Sequence, residues 1–199
     1  ALGAVIRDIS ESKALEANLR QSNATLRRIS ELSQAVNQVT SKRQLRETIT
    51  RTVQDIGATT VTLFDVDNLI TGGVPASLSV ADLWRADGND VLTVGTSFPL
   101  ADYPSASLWL EQPDAPFIVT DIATDPRLDD ASRRVFADLG IAANTILVLR
   151  QSGQWVGVLS MGWDEVHDCS DEERQLYDAM QNMLPPVLAN LNIVADLES

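Results

Sequence analysis

Apolar residues at the start of the chain are sparse and regularly spaced. Leu15, Leu19, Leu26, Ile29 and Val36 recur at intervals of 4, 7, 3 and 7, close to an a/d heptad in which Ser22 and Ser33 fill the missing positions. With Arg20, Gln21, Arg27, Arg28 and Glu31 around it, so narrow a stripe predicts a helix whose seam meets a partner helix rather than a broad core. Leu32 and Val39 then shift the phase. Ser41 with Gln44 makes a capping box, which predicts a break near Thr40 and a second helix carrying Leu45, Ile49, Val53 and Ile56 and ended by Gly57. Upstream, Ala4, Val5 and Ile6 read as the last turn of a buried strand, with Asp8 and Glu11 as the pair that starts the helix.

From residue 58 the period becomes that of strands. "TTVTLFDV" (59–66), "SVADLWRAD" (79–87), "DVLTVG" (90–95), "PFIVTD" (116–121), "TILVLR" (145–150) and "WVGVLSMGW" (155–163) are β-branched or aromatic runs bounded by Gly, Pro, Asn or Asp. Asp87-Gly88-Asn89 and Ser152-Gly153-Gln154 read as hairpin turns, so six mostly antiparallel strands are expected. Two long excursions, one on each side of the fourth strand, hold short helices, and excursions of that length often line a site. The closing helix opens on a capping box, Ser170 with Glu173, and carries Leu176, Met180, Met183, Val187, Leu191 and Val194. Pro185 and Pro186 inside it predict a kink or short break near Leu184.

Composition narrows the function classes. The 199 residues suit one globular domain plus a helix, and no apolar run approaches the length of a bilayer span. Fifteen Lys/Arg stand against twenty-eight Asp/Glu, a net charge of -13, and the excess of acid falls after residue 51. Such a body repels nucleic acid, and only Arg127, Arg133 and Arg134 come near to clustering. One cysteine, Cys169, and one histidine, His167, make neither an internal disulfide nor a structural zinc site, and a reducing cytoplasm fits.

The stretch "FIVTDIATDPRLDDASRRVFADLGIAANTILVLRQSGQWVGVLSMGW", set between a leading helix and a capped closing helix, resembles the GAF domain, a sensory module. The likeness spans about residues 30 to 195 and is most specific at Asp121 to Leu128, Gly140-Ile141 and Gly157-Val158-Leu159. Asp8-Ile9-Ser10-Glu11-Ser12-Lys13 resembles the signature that closes a PAS domain and opens a signalling helix. The resemblance implies an α+β fold: a central antiparallel six-stranded sheet, N- and C-terminal helices on one face, and a pocket side covered by long loops and short helices. It divides the chain into residues 1–13, the end of a PAS-like domain; 14–40, a signalling helix; 41–195, the GAF domain; and 196–199, a linker towards an output domain. A parallel homodimer is implied, with Leu15, Leu19, Leu26, Ile29, Val36, Met180, Val187 and Leu191 at its interface.

The same resemblance puts Trp84, Phe98, Tyr103, Trp109, Asp121, Arg127, Phe136 and Ile141 on or near a small-molecule pocket. The rings also suit a closed core that holds nothing, and Arg127 suits a pairing with Asp129 or Asp130 or a turn after Pro126. His167, with Asp164, Glu165, Asp168 and Cys169, is the one cluster a catalytic reading has, yet it precedes a helix N-terminus, where acidic residues are favourable and a solvated loop suffices. Cys169 reads as a small core filler in the turn before the closing helix. Relatives that attach a bilin do so through a cysteine of the pocket excursion or nearby strands, so the resemblance argues against a covalent bilin. It also argues against haem, for want of a pocket histidine, and against a cyclic nucleotide, whose Asn-Lys-Phe-Asp-Glu signature is missing. Free-methionine sulfoxide reduction needs several cysteines. Two readings follow: a cytoplasmic sensory domain of a multidomain protein, of the histidine kinase or cyclic-dinucleotide enzyme kind, that is itself non-catalytic, or a ligand-free dimerising spacer that relays an upstream signal.

Overall fold

Helices α1 (Leu2–Val36) and α2 (Lys42–Gln54) meet at the predicted break, in a computed structural model that describes residues 2–69, 74–89, 91–103 and 105–198. The Ser41 hydroxyl accepts from the Gln44 N–H at 3.2 Å, and the Gln44 side chain reaches back to the Thr40 N–H at 2.8 Å. Both ends of the turn are thereby satisfied, and α2 buries Leu45, Ile49 and Val53 completely. Ala4, Val5 and Ile6 belong to α1 instead of ending a strand. Periodicity cannot separate so short an apolar run from a helix, and a helix meets its own backbone hydrogen bonds where a strand needs a partner. Ala1 and Ser199, the outer ends of the expected PAS remnant and linker, lie outside the described residues.

Six strands form one antiparallel sheet in the order β3-β2-β1-β6-β5-β4: β1 (Thr60–Leu69), β2 (Pro75–Arg85), β3 (Ser97–Pro99), β4 (Phe117–Val119), β5 (Ala143–Gln151) and β6 (Gln154–Trp163). The α+β arrangement is the expected one. At the β5–β6 hairpin, Ser152 (φ 52°) and Gly153 (φ 79°) both take positive φ, the mirror-image turn that matches the twist of the flanking strands. The third strand is displaced from its expected place at 90–95, whose first residue, Asp90, is outside the described set. After the turn at Asp87–Asn89 the chain swings wide and rejoins β2 only where the Gly95 N–H donates to the Val80 carbonyl, leaving β3 at residues 97–99. The apolar character of Val91 and Leu92 serves a cavity wall instead of a ladder.

Period-2 alternation splits the apolar residues between two cores. On one face, Val61, Leu63, Leu147, Leu149, Leu159 and Met161 pack against α1, α2 and the closing helix α5 (Asp171–Glu198). On the other, Phe64, Leu78, Val80, Ile146, Val148 and Val158 pack beneath a 3₁₀ turn (Leu100–Asp102), α3 (Ala106–Glu111) and α4 (Asp130–Asp138). Ser170 caps α5 by accepting from the Glu173 N–H at 3.2 Å, and three acidic residues in its first turn complement the helix dipole. Of the kink or short break expected near Leu184, there is no break: α5 is helical through both prolines. Met180, Leu184 and Leu188 are fully buried on either side of them, and this packing holds the helix across the missing donors.

Candidate functional site

A cavity of about 190 Å³ lies between the second face of the sheet and its covering loops. Alternation builds its floor: Thr60, Thr62 and Phe64 point from β1, Leu83 and Arg85 from β2, and Ser160 from β6. Phe98, Tyr103, Phe136 and Ile141 wall it, with Val91, Val135 and Leu139 at the rim. The rings brace one another. Phe64 meets Phe98 and Tyr103 edge-on at 5.8 and 5.6 Å, and Tyr103 meets Trp109 edge-on at 5.6 Å. Such pairs add about 0.5–1.5 kcal/mol each beyond the area they bury.

Besides the Thr60 and Thr62 hydroxyls of the floor and the Asp102 carboxylate, polar groups occupy two places in this enclosure. Within, the Tyr103 hydroxyl is hydrogen-bonded to Ser160, and burial pushes its pKa up to about 12, against the opposing pull of that bond. Tyr103 is therefore a neutral phenol at physiological pH. Ser160 in turn accepts from the Asn144 amide at 3.0 Å, and that amide also donates to the Met161 carbonyl at 2.8 Å. At the mouth, Arg85 Nη1 donates to the Leu139 carbonyl at 2.7 Å, while Nε and Nη2 face the two oxygens of Asp87 at 3.2 and 3.4 Å. The Arg85 guanidinium, followed by the Asn89 N–H, holds the Asp87 carboxyl at about 2.

Four of the eight expected pocket residues, Phe98, Tyr103, Phe136 and Ile141, line this cavity. Trp84 lies on the opposite face, packed against the helix-side core. A bulge explains it: Leu63 pairs with Asp82 but Phe64 with Val80, so one extra residue in β2 reverses which side chains face the cavity. Trp109 is buried behind Tyr103, between it and Trp155, rather than on the cavity surface. Asp121 accepts from the Ala123 N–H at 2.9 Å and the Thr124 hydroxyl at 2.7 Å, which fixes a turn. Arg127 pairs with Asp125 at 2.6 Å, not with Asp129 or Asp130, and lies 4.9 Å over the Phe117 ring. Asp129 is engaged as the cap of α4 and Asp130 with Arg133. Arg85 and Ser160, the polar groups that sequence reasoning missed, sit at alternating positions beside Leu83 and Val158, and that period was their only signal.

Residues 164–170 form the expected loop, with Asp164, Glu165 and Asp168 exposed, but the His167 side chain turns out of solvent. Its ring is stacked on Trp163, its Nε2 lies 2.9 Å from Glu173 and its N–H donates to the Thr120 carbonyl at 3.0 Å. Cys169 packs against the helix-side core, across the sheet from the cavity, and burial followed by Glu173 pushes its thiol up to about 11. Among the described residues no group of three or more His, Cys, Asp or Glu is placed to hold a metal.

The residues expected at a helical seam divide by position. Val36 and Met180 are buried in the domain's own core, and Ile29, Val187 and Leu191 are half-buried against it. Leu15, Leu19 and Leu26 are exposed by 71%, 61% and 59%, so the free part of the stripe ends where α1 settles on the domain. Among the described residues no helix is long and apolar enough to cross a membrane.

The fold is that of the GAF-containing chromophore-binding domains of phytochromes. The chain superposes with a TM-score of 0.67 on the chromophore-binding domain of an unusual bacteriophytochrome from R. palustris, at 15% identity over 90% of this chain and 64% of that one. It matches the domain of a Stigmatella aurantiaca bacteriophytochrome, a point mutant in the Pr state, with TM-score 0.67, 15% identity and 83% and 60% coverage. The wild-type phytochrome domain of that organism gives 0.63, 15%, 82% and 59%. The chain thus spans less than two thirds of the length of each. No protein-family model and no curated protein matches the sequence. These neighbours overturn one expectation: since all three are chromophore-binding domains, a covalent bilin is not to be set aside from the position of Cys169.

Proposed function

We propose that residues 41–195 form a sensory GAF domain of a cytoplasmic multidomain signalling protein, of the sensor histidine kinase kind, and that the domain holds a small molecule in the cavity walled by Phe98, Tyr103, Phe136 and Ile141. The observation that carries this reading is the cavity itself, an apolar enclosure with a hydroxyl pair inside and a guanidinium at its mouth. Few, well-placed polar groups in a largely apolar wall are what ligand sites have in common. Residues 1–13 close an upstream PAS-like domain, 14–40 form a signalling helix that pairs with its copy in a parallel homodimer, and 196–199 lead to an output domain. Ligand occupancy would bias the packing of α1 and α5, and the shift would pass along them. We read the domain as non-catalytic: Tyr103, Ser160 and Asn144 contain no general base, Asp102, the one carboxylate among the described lining residues, is exposed to solvent, and His167 is engaged elsewhere.

A chromophore of the kind the phytochrome neighbours bind is a further candidate for the same cavity, one for which the rim loops would have to part. The spacer reading is favoured by a different observation, that Phe64, Phe98 and Tyr103 pack on one another and partly fill the enclosure. Native mass spectrometry of freshly purified protein, with an absorption spectrum before and after incubation with biliverdin, separates the three. Extra mass supports the sensor and a visible band the chromophore. A bare dimer that takes up nothing from cell extract supports the relay.

A further inference from the structure

Among its described lining residues the cavity has one cation, Arg85, and one anion, Asp102; Asp87, which pairs with Arg85, is not on the lining. Arg85 presents a planar fork whose outer nitrogens face Asp87 at 3.2 and 3.4 Å, well beyond the 2.7–2.9 Å of a tight charge-assisted bond. Asp87 stands on an exposed turn with its side chain 49% accessible, so its carboxylate is exchangeable. Nη1, by contrast, is held firmly by the Leu139 carbonyl at 2.7 Å, which keeps the fork aimed while the Asp87 side is open to competition. Asp102, exposed and itself on the lining, disfavours a second negative charge.

Size and lining give the rest of the ligand. An apolar cavity of about 150 Å³ accommodates benzene, so one of about 190 Å³ suits a single ring or a short branched chain with a small polar group. The wall of Leu83, Phe98, Phe136 and Ile141 suits an apolar body, while the hydroxyls of Thr60, Thr62, Tyr103 and Ser160 lie on the remaining lining.

Resting on the reading of this cavity as a ligand site, we propose that its occupant is a monocarboxylic acid with a single-ring or branched aliphatic body, which displaces Asp87 from Arg85 and seats its body against Phe98, Phe136 and Ile141. Asp87 is the internal stand-in for the ligand carboxylate. Its release removes the Arg85 contact from the turn at residues 87–89, where Asp87 still accepts from the Asn89 N–H, and so links occupancy to the connection between β2 and β3.

The test is calorimetric titration of the full chain with benzoate, 3-phenylpropanoate and 4-methylpentanoate, each against its primary amide, and with phenylsuccinate as the dianion. At least one acid should bind about tenfold or more tightly than its amide, since the amide forfeits the charged bonds to Arg85. Asp87→Asn should tighten the acid severalfold and leave the amide unchanged. Arg85→Gln should make the two alike; should it fold poorly by circular dichroism, Asp87→Asn, which spares the bond to Leu139, carries the test. Equal binding of acid and amide, an acid unaffected by Asp87→Asn, tighter binding of the dianion, or no binding by any acid overturns the inference. Amides that bind where acids do not would leave the cavity a ligand site and remove only the carboxylate. Failure of every compound, together with a bare native mass, would remove both.

Discussion

The imidazole of His167 lies flat on the indole of Trp163, with centroids 4.3 Å apart and planes 5° apart, while its Nε2 meets Glu173 at 2.9 Å. One side chain thus joins the end of β6 to the first turn of α5. Removing it by His167→Ala loses a ring contact and a hydrogen bond to a carboxylate, together about 1–2 kcal/mol. At roughly 2–4 °C per kcal/mol for a domain of this size, the melting temperature should drop by several degrees. His167→Phe should restore part of the loss by keeping the stack. A calorimetric melt of the three proteins checks this, and an unchanged melt for the alanine variant would return His167 to an ordinary loop.

Asp87 supplies a pH dependence whose sign is fixed. Its carboxyl, about 2 in the folded chain against an ordinary 3.8, is held down first by Arg85 and then by the Asn89 N–H. A depressed folded value means that the interaction is fully present above about pH 4 and fades as pH falls towards 2. Carbon-13 NMR titration of the Asp87 carboxylate should show this midpoint, and Arg85→Gln should return it most of the way to 3.8. A midpoint near 3.8 in the unmutated protein would mean that the Arg85 fork does not hold this turn.

Gly157 on β6 lies directly beneath Leu188 of α5. A Cβ there would lie 2.5 Å from Leu188 Cδ2 and 2.9 Å from the Phe64 carbonyl oxygen. The leucine can turn, but the backbone oxygen cannot, so Gly157→Ala should cost about 1–3 kcal/mol as overpacking. Urea unfolding should register it as a lower midpoint at unchanged slope. Equal midpoints would show that α5 can lift from β6 freely.

Much of the architecture was legible because it is written in local rules. Ser41 and Ser170 announced their helices by cap chemistry, and the Ser152-Gly153 pair announced a hairpin that needs two positive φ angles. The cavity was half legible. Phe98, Tyr103, Phe136 and Ile141 came from resemblance to a family, whereas Arg85 and Ser160 needed the register of the sheet. Counting by twos from Leu78 and Val80 brings Trp84 to the cavity face, and only the bulge opposite Leu63 and Phe64 puts Leu83 and Arg85 there instead. A one-residue slip exchanges every side chain between faces, and a bulge is a slip that sequence alone does not announce.

The heptad stripe on α1 looked continuous from Leu15 to Val36, but burial cuts it in two, and the parts should answer differently to the same substitution. Leu19 and Leu26 are exposed along the free length of the helix, so in the proposed parallel dimer they are buried by the partner's copies. Leu19→Asp with Leu26→Asp should dissociate the dimer and leave the melt of the domain nearly unchanged. Val36, 1% exposed in the helix-side core, has no such freedom: Val36→Asp puts an unpaired charge among apolar side chains and should unfold the domain. Sedimentation velocity and circular dichroism on the two variants separate assembly from folding. A Leu19/Leu26 double variant that stays dimeric would place the interface elsewhere, with the exposed Ile193, Val194 and Leu197 near the end of α5 next in line.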